Sequence, residues 1–217
     1  MKKNNITQLI IIFTVLLTFS LCSCASKPKV PKQRSETYIA DLDSFYVDEL
    51  HLYTKTPMGE PRVTDIEVTF FPRTNIIGFK MKIGLDVIRV GFSYAERKRL
   101  YESALEYLDS YNSNTIQYSK PNKQNALLKS NTFLSWGVFG LTHDVNVKYY
   151  TNIEYLESKK PYYRIKFEAT DDPEDGSATP PFSIYISPSQ WNSIFEICNQ
   201  QELESKCEEI LEKADAF

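Results

Sequence analysis

Four segments of this chain alternate apolar and polar residues with a period of two, and that rhythm restricts its fold more than any other feature. Ile66, Val68 and Phe70 alternate with Glu67 and Thr69, and Ile77, Phe79, Met81 and Ile83 are interleaved with Lys80 and Lys82. Val145, Val147, Tyr149, Thr151, Ile153 and Tyr155 share a face opposite Asn146, Lys148, Asn152 and Glu154. Tyr163, Ile165 and Phe167 oppose Arg164, Lys166 and Glu168. Successive side chains of a strand point to opposite faces, so each segment predicts a strand with one dry and one wet side. Wet sides belong to antiparallel sheets, because parallel strands are covered on both faces and read as continuous apolar runs. Turn-forming residues at Pro72–Asn75, Ser158–Pro161 and Asp171–Gly176 separate the segments.

Two places break the rhythm in the same way. Val90-Gly91-Phe92 is followed by Ser93-Tyr94-Ala95-Glu96, and Ile184-Tyr185-Ile186 by Ser187-Pro188-Ser189-Gln190. Both are capping boxes, in which Ser accepts from the N3 amide while Glu or Gln accepts from the Ser amide. Pro188 falls at the first helical position, where a missing N–H is harmless. Leu100/Tyr101 and Ile194/Phe195 then match at the same offset. The expected fold is α+β: an antiparallel sheet of about six to eight strands with two main helices on one face. The matched junctions are what a duplicated β-rich/α unit would leave. The last helical stretch changes phase near Asn199-Gln200-Gln201, which predicts a kink or turn. Cys198 and Cys207 on one straight helix would be about 13.5 Å apart along the axis, beyond disulfide reach, so a bond between them requires that turn.

The amino terminus adds an address. Lys2 and Lys3 precede an apolar run from Leu9 to Leu21, too short to span a bilayer comfortably and suited to an export signal. The run closes on Leu21-Cys22-Ser23-Cys24, which resembles the lipobox of bacterial lipoproteins. The resemblance implies a signal peptide of residues 1–23, cleavage at Ser23–Cys24, and acylation of Cys24. It also implies a membrane-anchored protein of the cell envelope. Ala25 in place of Asp after the modified cysteine points, by the sorting habit of enteric-type lipoproteins, to the outer membrane, facing the periplasm or the cell surface. Two or three acyl chains anchor stably where one is marginal.

Residues 24–35 carry Lys27, Lys29, Lys32 and Arg34 between prolines and predict an extended basic tether. The remaining 36–217 is expected to form a single domain. From residue 35 onward 19 basic residues face 28 acidic ones, a net charge of about −9, which disfavours a nucleic-acid partner.

Catalytic chemistry is hard to place. His51 and His143 are the only histidines, both in strand-like contexts. There is no HExxH, no G-x-S-x-G and no glycine-rich phosphate loop. Asp171–Gly176 is rich in carboxylates but has Pro173 where an EF-hand needs its second ligand and Phe182 where it needs Glu. No catalytic residue, metal ligand or cofactor is therefore assigned. An exposed aromatic patch is expected to serve as an interaction surface, with Trp136, Phe139, Tyr149 and Tyr150 as candidates for contact with an envelope protein partner. The expected role is non-enzymatic binding or structural support. The alternative is a carrier of an apolar small molecule or lipid in a cavity between sheet and helices, which the 14 Tyr and 13 Phe could line.

Overall fold

Alternation becomes strand wherever the sequence signals it, in a computed structural model that describes residues 42–117, 119–138, 143–156 and 160–215. The signal peptide, Cys24, the whole tether and Phe139 lie outside the described residues. Arg34–Phe217 forms one compact unit by itself. Its strands are β1 (Phe45–Lys55), β2 (Arg62–Phe71), β3 (Ile76–Ile83), β4 (Asp86–Phe92), β5 (Leu128–Gly137), β6 (His143–Tyr155), β7 (Pro161–Phe167), the short pair β8 (Thr170–Asp171) and β9 (Ala178–Thr179), and β10 (Phe182–Ile186). Helix α1 (Tyr94–Asn112) follows β4, and α2 (Pro188–Ile197) and α3 (Gln200–Asp215) follow β10.

The α+β expectation and the antiparallel pairing hold, and the sheet is a closed barrel in the order β1-β10-β7-β6-β5-β4-β3-β2 rather than an open sheet. Alternation reports which side of each strand is dry; it carries no information on whether the two edge strands meet. Here they do, and closure leaves no long edge to protect. Leu52, Ile66, Val68, Phe70, Ile77, Val90, Leu134, Val147, Tyr163, Ile165, Phe167 and Ile184 fill the interior at zero exposure. Glu49, His51, Lys82, Lys129 and Lys148 stand exposed on the outer wall, the reverse of a lipid-facing barrel. None of the described helices is long and apolar enough to cross a membrane.

Strands β2, β4, β6 and β10 all finish at one end of the barrel, so the helices that follow β4 and β10 start there. Instead of lying on one sheet face, α1 and α2 close that end. Leu100, Ser103, Ala104 and Tyr107 of α1 and Trp191 and Ile194 of α2 are buried. The Tyr163 ring meets Trp191 edge-on at 5.2 Å and Tyr107 at 5.6 Å, and its hydroxyl hydrogen-bonds Ser103 Oγ at 2.8 Å. Both predicted capping boxes form. The expected break appears at Cys198–Asn199 and divides the second helical region into α2 and α3, giving three helices among the described residues instead of the two expected.

The barrel closes through a short seam. Only Tyr53–Tyr185, Thr54–Ile184 and Lys55–Ser183 pair β1 with β10. Continued by one further step in alternation, this register would set Ser187 opposite His51, but Ser187 turns the chain into α2. The edge is completed by a side chain: Gln190 Nε2 donates to the His51 carbonyl at 2.7 Å, while Gln190 Oε1 accepts from the Ser187 amide at 2.8 Å. Glu96, its counterpart in the first box, accepts from the Ser93 amide at 2.8 Å. An ionised Glu can only accept whereas the Gln amide both accepts and donates, which explains Gln at one cap and Glu at the other.

Arg97 fastens the helices from beneath. It is 4% exposed, and its Nη2 donates to Asn75 Oδ1 at 2.7 Å and to Gln200 Oε1 at 2.8 Å, joining α1, the β2–β3 hairpin and α3. Burial pushes this guanidinium's pKa down. Cys198 and Cys207 are both buried and neither is in a disulfide. Burial pushes the Cys198 thiol up to about 12, so its thiolate, the reactive form, is scarce at neutral pH.

Two outcomes follow. Gln190→Glu removes the donor to His51 and should lower unfolding free energy by about 1–3 kcal/mol, read as a shift of the urea midpoint at constant m, whereas Glu96→Gln should leave it nearly unchanged. In native protein the peptides bearing Cys198 and Cys207 should resist iodoacetamide and become labelled only in denaturant, as mass mapping would reveal.

Candidate functional site

The barrel end opposite the helices is built from hairpins. The β3–β4 connection is the two-residue turn Gly84-Leu85, since Ile83 pairs with Asp86. Gly84 takes φ +67°, a conformation natural to glycine. That tight turn holds Leu85 out at the tip, 83% exposed, and Met58 of the β1–β2 loop is fully exposed. Between them opens a cleft of about 540 Å³ lined by Thr56, Pro57, Ile83, Ile88, Thr179 and Phe182 among others. Ile83, Ile88 and Phe182 are core side chains, so the cleft leads from an apolar rim to the barrel interior. It falls within the roughly 300–1,000 Å³ typical of small-molecule sites.

The rest of this mouth is crossed by the β7–β10 connection, which carries the β8–β9 pair and the acidic loop between them. His143, at the start of β6, anchors it: Nδ1 lies 2.9 Å from Asp172 Oδ2 and 3.6 Å from Asp175 Oδ2. The opposite oxygens are held by the loop itself, Asp172 Oδ1 accepting from the Glu174 amide and Asp175 Oδ1 from the Ser177 amide. Hydrogen bonds from Ser177 hold the Asp175 carboxyl below its ordinary pKa. The Trp136 ring stacks on His143 at 5.1 Å. These three ligand-type groups converge closely enough to share a cation, as do Glu49, His51 and Asp65 on the exposed wall. In both places the histidine already has a carboxylate within hydrogen-bond distance, which accounts for the geometry without a metal.

Around the rim, on the outer wall, a smaller pocket of about 200 Å³ is lined by Lys55, Arg164, Lys166, Glu154, Ser183 and Tyr185, with Thr56, Pro57 and Phe182 at its border. Arg164 is 8% exposed. Its Nη1 donates to Glu154 Oε2 and its Nη2 to Asn152 Oδ1 at 3.4 Å, while Nε has no acceptor among the described residues. Arg164 and Lys166 both stand over the Tyr150 ring at 5.7 Å. Burial, with Glu154 beside it, pushes the Tyr185 phenol up to about 12. A third depression of about 410 Å³ runs along the helices between Tyr101, Leu105 and Phe195.

The aromatic residues expected on an exposed patch are not exposed. Trp136 and Tyr149 are 4% and 2% accessible because both occupy inward positions of their strands, and Tyr150 points outward yet is 7% accessible under Arg164 and Lys166. Phe139 lies outside the described residues. His51 is on the outer wall, paired with Asp65 at 2.7 Å, and His143 is at the mouth, so the histidines do not form a joint site. The mouth and the basic pocket were not anticipated, because their residues come from separate hairpins that only barrel closure brings together. Gly84-Leu85 between alternating segments was the one local signal.

Residues 20–205 match the family described as "Uncharacterised Treponema protein". A relative described as an uncharacterised protein of Treponema pallidum (strain Nichols) is 22% identical over 196 residues, covering 90% of this chain and 69% of the relative. No solved structure matches.

Proposed function

The chain belongs to this family of uncharacterised Treponema proteins, and from that premise we propose a lipid-anchored protein of the cell envelope with a non-enzymatic role: binding an apolar small molecule at the open mouth of its barrel. The observation that carries the binding role is the apolar cleft of about 540 Å³ between the Met58 and Leu85 tips. Eight strands enclose a space that side chains can fill or that can hold one small ligand. Under the helices, Tyr163, Trp191 and Tyr107 fill it, so the carrier reading moves from the helix side to the opposite end. Two large apolar tips at full exposure cost solubility unless they meet something apolar.

The anchor rests on Leu21-Cys22-Ser23-Cys24 with the basic tether behind it. Ala25 supports the outer membrane, on its periplasmic or external side. Four barrel strands followed by a serine-capped helix occur twice in succession, the second set with the short β8–β9 pair inserted, which supports descent of the barrel from a duplicated ββββα unit.

A soluble form of residues 34–217 contains every strand, helix and core residue described. It should bind the neutral fluorophore N-phenyl-1-naphthylamine, with a blue-shifted, enhanced emission. The double variant Met58→Asp/Leu85→Asp should weaken that binding about tenfold or more, a loss of ~1.4 kcal/mol, at unchanged melting temperature. Equal binding by the variant would remove the mouth as the site. For the anchor, Cys24→Ser should abolish acyl labelling and leave the precursor uncut; labelling that persists would defeat the assignment.

A further inference from the structure

The apolar cleft and the basic pocket adjoin. Thr56, Pro57 and Phe182 line both, so the two spaces meet across the rim where β1 leaves the barrel and β10 enters it. Their sizes and chemistries are complementary. The cleft, at about 540 Å³, suits a chain or ring system. The pocket, at about 200 Å³, lies below the volume usual for a whole small-molecule ligand and suits a group of a few heavy atoms.

The pocket has a surplus of positive charge. Lys55, Arg164 and Lys166 face the single carboxylate Glu154. Among the described residues Lys55 has no hydrogen-bonding or ion-pair partner, and Lys166 has only the Tyr150 ring beneath it. Arg164 is more than nine-tenths buried with Nε lacking an acceptor. Lys55 and Lys166 are the cations left to meet an oxyanion, which they would hold with charge-assisted hydrogen bonds beside the Arg164 guanidinium.

We propose that the ligand of the mouth is an anionic amphiphile: its apolar part occupies the cleft, and its carboxylate or phosphate head is held by Lys55 and Lys166 beside the Arg164 guanidinium. This rests on the mouth-binding reading and adds to it a charge requirement. Glu154 accepts from Arg164 Nη1, so the carboxylate that offsets the guanidinium's charge also orients it and leaves the two lysines to the ligand. Electroneutral ligands of equal length lack the head contacts and bind through the cleft alone.

The test displaces N-phenyl-1-naphthylamine from the 34–217 form with decanoate, decyl phosphate or 1-decanol, at low salt and about pH 8, where carboxylates are ionised. At least one of the two anions should displace the probe at about tenfold lower concentration than the alcohol, and the tighter anion identifies the head. In Lys55→Gln/Lys166→Gln that preference should fall to about twofold or less, with 1-decanol displacing as before and the melting temperature unchanged. If neither the probe nor 1-decanol binds, the mouth reading fails and this proposal with it. If 1-decanol competes while both anions are no better, or if the double variant keeps the preference, the mouth reading stands and the anionic head is rejected.

Discussion

Three backbone pairs between β1 and β10 make this molecule a barrel. Without them β1 and β10 would be exposed edges of an eight-stranded sheet, and the apolar faces of all the other strands would have no common interior. With β1 running Phe45–Lys55 and β10 only Phe182–Ile186, the seam cannot be closed by strand pairing alone. The helix that follows β10 therefore has two duties, covering the barrel end and supplying the Gln190 side chain to the His51 carbonyl. Closure and capping are thus one event, not two. The aromatic cluster around Trp191 and Tyr163 then fills the covered end, and Arg97 ties both helical segments to the β2–β3 hairpin through neutral oxygens.

Much of this was legible in the chain. Alternation placed β2, β3, β6 and β7 and their dry faces, and the two serine boxes placed the helix starts to the residue. The phase change near Asn199 located the break between α2 and α3. What alternation cannot encode is the meeting of first and last strands, because each strand's pattern is local while closure depends on accumulated twist and register. That single missing fact led to an open sheet with helices on one face. It also obscured the site: Leu85, Met58 and Phe182 are scattered in sequence and share a mouth only after closure. The aromatic patch failed for a related reason. Trp136 and Tyr149 belong to the inward set, and Tyr150, though outward, sits beneath two long cationic side chains whose stems cover it.

The outer wall over β6, β7 and β10 shows how polar groups are managed on a small barrel. Asn152, on the outward side of β6, donates to the carbonyls of Asn122 and Asn125, pinning the loop that follows α1 against the wall. Glu154 next along accepts from Arg164 and Tyr185. The wall is therefore covered by its own loops and networks in its middle and left cationic near the rim, and this gradient gives the proposed head site its charge.

By position in the barrel, the β3–β4 turn and the β7–β10 connection are counterparts, each joining the third and fourth strands of a four-strand set. The first is the minimal Gly84-Leu85 turn; the second extends through β8 and β9 and is fastened over the mouth by His143. A barrel with matching turns would offer two equivalent openings related by rotation about its axis. The long connection crosses one half of the opening and leaves the other to the cleft, so the two halves are not equivalent at the proposed mouth. For the proposed mouth site this asymmetry implies one ligand for each barrel, entering from one direction.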